Sequence, residues 1–112
     1  MAGAKIIVMY PRPTDVAAFE RLYVEEHVPL ARAKLAGATG AAFTRVVGAL
    51  GGDAPWHRVV EIHFPSMAAL QASLADPGTQ EVAAHAVAIS SGGPPSFLVA
   101  EVDAPGGWDG TL

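Results

Sequence analysis

Trp56-His57-Arg58-Val59-Val60-Glu61-Ile62-His63-Phe64 alternates with a period of two. Trp56, Arg58, Val60, Ile62 and Phe64 fall on one side of an extended chain, and His57, Val59, Glu61 and His63 on the other. This segment therefore reads as a β-strand, and its neighbours can be placed around it. Gly51-Gly52-Asp53-Ala54-Pro55 before it is a turn, preceded by a strand over Ala41–Leu50 with Phe43, Val46 and Val47 as β-formers. After Pro65, Ser66 caps a helix through Leu70 and Leu74. Asp76-Pro77-Gly78 interrupts it, and Thr79 or Gln80 to Ile89 forms a further helix. Ser90–Pro95 is loop and Phe97–Val102 a last strand, with a Gly-rich tail after Asp103 that is expected to be loose.

Toward the N-terminus, Lys5–Tyr10 is rich in β-formers and is stopped by Pro11-Arg12-Pro13, since proline cannot donate to a ladder. Thr14 or Asp15 offers an N-cap. Val16, Phe19, Tyr23, His27 and Leu30 then recur at spacings of three and four, one face of a helix that Gly37 and Gly40 close. The order is β-α-β-β-α-β, which gives an α+β, ferredoxin-like arrangement: an antiparallel sheet with helices on one face. The strands are too apolar to leave the second face wet, so a second copy packing sheet against sheet is expected.

Composition narrows the classes. The 112 residues fit one domain, with a core over about 5–103. With 51% apolar and 16% charged residues, a real core can form. The mean hydropathy of +0.32 is high for so small a domain and also points to a homodimer interface. A net charge of −4 argues against nucleic acid, and the scattered Lys and Arg make no membrane anchor. There is no cysteine, hence no disulfide, thiol nucleophile or thiolate metal site. No apolar run reaches the length of a membrane span, and Ile6–Met9 is too short for a signal peptide, so a cytoplasmic location is the default.

The chain resembles the EthD family, within the superfamily of dimeric α+β barrels. The resemblance runs through Ile7-Val8-Met9-Tyr10-Pro11, Phe19-Glu20-Arg21-Leu22-Tyr23, the His-x-Pro-Leu element His27-Val28-Pro29-Leu30, Trp56, and Val60 to Ser66. It departs from the common pattern at His63, where an aromatic is usual, and at Pro65, where an acidic residue is. It implies a homodimeric barrel with a small-molecule cavity in each subunit. Relatives include lactone isomerases and fungal decarboxylases and dehydratases, so it says little about the reaction.

Among candidate residues His27 stands first. Pro29 denies the carbonyl of Glu25 its helical partner and disfavours a helical Val28, which places His27 at a helix break beside Tyr23. Its intrinsic pKa near neutrality suits a general acid or base, with Tyr23 orienting it or a substrate oxygen. Tyr10, Phe19, Leu30, His57 and Phe64 are the expected substrate-binding residues. His57, Glu61 and His63 mimic a metal triad, but residues 57 and 63 lie about 20 Å apart along a strand at about 3.3 Å per residue. No metal or other cofactor is expected. Arg58 is a candidate carboxylate anchor, His85 reads as solvated or at an interface, and Ser90-Ser91-Gly92-Gly93 as a flexible connection able to cover the cavity.

The expected function is cofactor-independent acid/base chemistry (isomerisation, dehydration or decarboxylation) on a cyclic or aromatic oxygenated metabolite. The alternatives are a non-catalytic dimer that binds a small molecule or assists a degradation pathway, and a cofactor-free monooxygenase of the same superfamily.

Overall fold

The structure, a computed structural model, describes residues 3–103; the tail expected to be loose lies outside the described residues. The elements are β1 (Ala4–Pro11), α1 (Val16–Leu22), a π-helical turn (Tyr23–His27), α2 (Val28–Lys34), β2 (Gly40–Arg45), β3 (Trp56–Phe64), α3 (Met67–Leu74), α4 (Pro77–Ile89) and β4 (Ser96–Glu101). The four strands form one sheet in the order β2-β3-β1-β4, with every pairing antiparallel. This is the expected ferredoxin-like α+β fold, with the helices on one face.

β1 pairs with both β3 and β4, and its period-two pattern sets which face meets the helices. Ala4, Ile6, Val8 and Tyr10 are buried against Phe19, Tyr23, Leu70, Ala86 and Ile89 from the helical layer. In β3, Val60, Ile62 and Phe64 join them, opposite Val8, Ile6 and Ala4. Each such aliphatic side chain contributes roughly 1.5–3 kcal/mol on leaving water. The other face carries Ile7, Met9, Val59 and the exposed Leu98, with a Lys5–Glu61 ion pair of 2.6 Å.

Helix starts follow local capping chemistry. Asp15 accepts from the N–H of Ala18 at 3.0 Å, Ser66 from Ala69 at 3.1 Å, and Asp76 from Gly78 at 2.8 Å. The expected interruption falls at Ala75 and Asp76, and the last contact corrects the expected start of the second helix from Thr79 or Gln80 to Pro77. Pro77 and Gly78 form the first turn of α4, where a missing proline N–H costs no helical bond. β2 is also shorter than expected, ending at Arg45 rather than Leu50. Its regular pairing with β3 ends at Arg58, beside a bulge in β3, and Val47 and Leu50 beyond it are fully exposed.

Candidate functional site

The helix after β1 does not break at Pro29. The residues Tyr23–His27 adopt π-helical geometry, in which the N–H of Val28 reaches the carbonyl of Tyr23 five residues back. Val28 itself stays helical (φ −62°, ψ −45°), and Pro29 falls within the first two positions of α2. The wide turn absorbs the proline, so the expected break is a π-bulge of the kind often found at functional sites. It also changes which residues face inward. Phe19, Tyr23, His27 and Ala31 are all buried, each four after the last, whereas the expected Leu30 is half-buried and off the cavity.

Phe19, Tyr23 and His27 form a column of near-parallel rings, with centroids 5.5 and 5.7 Å apart. Tyr10 from β1 stands edge-on to all three. Its hydroxyl lies 3.1 Å from Nε2 of His27, and Nδ1 of His27 lies 2.9 Å from Nδ1 of His85 on α4. Both nitrogens of a 5% exposed imidazole are thereby engaged. Burial, and secondarily the neighbouring His85, lower the His27 pKa to about 4. Burial raises the Tyr10 pKa, helped by Tyr23, so its phenol stays protonated. The expectation of a near-neutral imidazole is corrected: at pH 7 His27 is neutral, competent as a base or a hydrogen-bond relay.

Tyr10 and His27 form one polar corner of a cavity of about 180 Å³ between the sheet and the helices α2 and α4. The remaining wall is almost entirely apolar. Val8, Val60 and Ile62 come from the sheet, Ala31 from α2, and Val82 and Ala86 from α4. Phe97 and Val99 of β4 also line it, and their 44% and 55% exposure marks its open side. Thr79 contributes to the lining, but its hydroxyl is already bonded to Ser73 at 2.9 Å.

His57 and Arg58 occupy a separate place. Between the pairs Tyr10–Arg58 and Pro11–Trp56, β3 contains one extra residue, His57. Such a bulge turns two successive side chains toward the same side. His57 consequently leaves the face of Glu61 and His63, to which strict alternation assigned it, and joins Arg58 against α1. There Glu20 accepts from Arg58 Nη2 at 2.6 Å and Nε at 3.0 Å, and lies 3.0 Å from His57 Nε2. The Arg58 bonds hold the Glu20 carboxyl below the usual carboxylate range, with His57 assisting. The carboxylate that Arg58 anchors is thus the chain's own.

Several expected roles meet a different geometry. Tyr23 stacks on His27 but does not hydrogen-bond it. Its hydroxyl is buried with no partner among the described residues, its ring lies 4.7 Å beneath the Arg58 guanidinium, and burial raises its pKa to about 12. Phe19, His57 and Phe64 are buried off the cavity, as packing around it. Ser90–Gly93 is pinned rather than free: Ser91 Oγ accepts from the N–H of Thr14 at 3.2 Å, and Gly92 presses against the Arg12 carbonyl. Among the described residues no three His, Asp or Glu side chains gather closely enough to hold a metal ion. No helix among them is long and apolar enough to cross a membrane.

His85 is the site residue that sequence reasoning missed. It contacts His27 across 58 positions of sequence, and no motif announces it. The available signal was weak: it sits directly before the inward-facing Ala86 and three after Val82.

The model of the EthD domain matches residues 11–89. The chain belongs to the EthD family. An EthD family protein from Bacillus halodurans superposes with a TM-score of 0.80 at 24% identity, over 89% of this chain and 97% of its own. A dimeric ferredoxin-like protein of unknown function from Jannaschia follows at TM-score 0.66 and 20% identity, over 91% and 99%. SnoaB, a cofactor-independent oxygenase from Streptomyces nogalater, shares the fold at TM-score 0.58 and 16% identity, over 93% and 94%. No curated protein matches the sequence significantly.

Proposed function

We propose that this EthD-family chain is an enzyme that moves a proton on a small oxygenated ring compound, without a cofactor. The observation that carries this reading is the Tyr10–His27 contact of 3.1 Å at one corner of an otherwise apolar cavity. A dry cavity of about 150 Å³ accepts benzene, so the 180 Å³ here suits a single ring with a small oxygen substituent. A carbonyl or enol oxygen of such a ligand would hydrogen-bond to Tyr10, whose protonated hydroxyl polarises it. Neutral His27 behind Tyr10 resupplies the phenolic proton when Tyr10 gives it to the ligand. In its other tautomer it takes that proton up when the ligand gives one to the Tyr10 oxygen, which serves isomerisation, dehydration or decarboxylation alike. In an apolar pocket each such hydrogen bond to developing charge is worth more than in water. Tyr23 supports the imidazole by stacking.

The working form is a homodimer, in which the open sheet face with Ile7, Met9, Val59 and Leu98 meets its copy. Sedimentation velocity at micromolar concentration tests this, and a well-folded monomer would contradict it.

Deuterium uptake alpha to the carbonyl of cyclohexanone, in D₂O and followed by NMR, tests the chemistry. Wild-type protein should accelerate it, and His27→Gln should not. A second reading draws on the lowered His27 pKa, which makes the imidazole a weak base: the chain binds such a ligand without transforming it. Binding with no exchange in the wild type would select that reading. An oxygenase activity, as named for SnoaB, would appear instead as dioxygen consumption with an electron-rich phenol.

A further inference from the structure

We propose that His85 is the solvent-side end of a proton wire that runs through His27 to the Tyr10 hydroxyl in the cavity. This deepens the acid/base reading above and rests on it for its use, but not for its test. The three groups come from α4, the π turn and β1, and touch in sequence. His85 Nδ1 is 2.9 Å from His27 Nδ1, and His27 Nε2 is 3.1 Å from the Tyr10 oxygen. The imidazole planes differ by only 7°, with centroids 5.1 Å apart. That separation nearly reaches the sum of the N–N distance and the radii of two five-membered rings, the most that this contact allows. The rings therefore lie end to end, nearly in one plane, as an N–H···N bond requires. Exposure falls along the series: the His85 side chain is 25% exposed, while His27 and Tyr10 are 5% and 1% exposed. Nε2 of His85 points outward, 3.8 Å from a carboxylate oxygen of the solvated Glu26.

Two nitrogens at this distance share one proton, so the tautomers of the two rings are linked. In one state Tyr10 donates to His27 Nε2, His27 Nδ1–H donates to His85 Nδ1, and His85 carries its proton on Nε2 toward Glu26. In the other, His85 Nδ1–H donates to His27 Nδ1, His27 Nε2–H donates to the Tyr10 oxygen, and the Tyr10 hydroxyl is free to donate into the cavity. The first state becomes the second when a ligand gives a proton to the Tyr10 oxygen. The phenolic proton then passes to His27 Nε2, the Nδ1 proton to His85 Nδ1, and the Nε2 proton of His85 to Glu26 or water. One proton leaves the ligand and one reaches solvent. Every member of the wire ends neutral, and no ring has to rotate. The reverse sequence delivers a proton to the ligand. A buried imidazolium, costly in this apolar site, is avoided in both directions.

Substitution of His85 tests the wire without any ligand or turnover. His85→Phe keeps a ring in place of the imidazole, and His85→Gln keeps a polar group that cannot pass a proton along. The readouts are the rate at which the Tyr10 hydroxyl proton exchanges with water and the His27 tautomer from ¹⁵N long-range correlation spectra. Both variants are expected to slow the exchange by about tenfold or more. His85→Phe should also release His27 from the linked tautomer, so that its Nδ1 no longer shares a proton. Unchanged exchange in either folded variant overturns the wire, as does an unchanged His27 tautomer in His85→Phe. If His85→Phe does not fold, His85→Gln decides through the exchange rate. Absence of ligand binding or of turnover would count against the proposed function and leave this result standing.

Discussion

The lowered pKa of His27 ties the stability of the fold to pH. An imidazole in the unfolded chain titrates near 6.5, and in the folded protein at about 4, because burial and then His85 disfavour the charged ring. Between those values the unfolded chain binds a proton that the folded protein refuses. Stability rises with pH wherever the unfolded state holds more protons, at about 1.4 kcal/mol per pH unit for one site. His27's contribution is therefore complete above pH 6.5, is lost as the pH falls toward 4, and changes no further below. Over a gap of about 2.5 pH units the loss is roughly 3 kcal/mol. Urea unfolding at pH 7.5, 6.5, 5.5 and 4.5, at one protein concentration so that any dimer contributes equally, measures it. His27→Phe keeps the ring column and removes the titration. It should be less stable at pH 7.5, because Tyr10 loses its partner, yet show a shallower fall between pH 6.5 and 4.5. A flat wild-type profile in that window, or the same slope in His27→Phe, refutes the reasoning.

Tyr23→Phe should stabilise the protein by about 1–2 kcal/mol in the same unfolding assay, since it removes a buried hydroxyl with no partner and keeps the stack. Tyr10→Phe removes a made hydrogen bond and should destabilise by a similar amount, so the two tyrosines are told apart by sign. Glu20→Gln should cost about 3 kcal/mol at pH 7, because it leaves the Arg58 guanidinium without its charge partner. The Glu20 carboxyl is held below its ordinary 4.5, so its contribution is present above that value and is lost as the pH falls through the folded pKa. The variant should accordingly lack the wild type's steepening of acid unfolding below pH 4.5, visible by circular dichroism. Gly92→Ala would set a Cβ 1.9 Å from the Arg12 carbonyl oxygen, forcing the loop off Pro13. A melting-temperature drop corresponding to about 3 kcal/mol is expected.

The fold was legible because its signals are local: β-formers in β1, alternation in β3, Asp15 and Ser66 as caps, and proline and glycine between elements. The site was legible only in part, because two departures from regular geometry build it. Strict alternation in β3 put His57 beside Glu61, and one bulged residue moved it across the sheet to Glu20. Nothing in Trp56-His57-Arg58 marks the bulge; it becomes intelligible once Glu20 is seen to need two partners on one side. The π turn, by contrast, has a trace in the sequence. At 3.6 residues per turn, each step of four overshoots by about 40°, so three steps carry a straight helix about 120° off its inward face. Phe19, Tyr23, His27 and Ala31 are three such steps apart, and all four are buried. A regular helix would have returned to Leu30 after His27, as the period-three-and-four reading supposed. A turn with more residues reconciles the stripe with one face, and Pro29, unable to donate a helical bond, favours it there. The same extra residue that hides Leu30 from the cavity keeps His27 in register with Tyr10 on one side and His85 on the other. The contact of His27 with Tyr10 and His85 thus depends on a backbone irregularity as much as on the residues themselves.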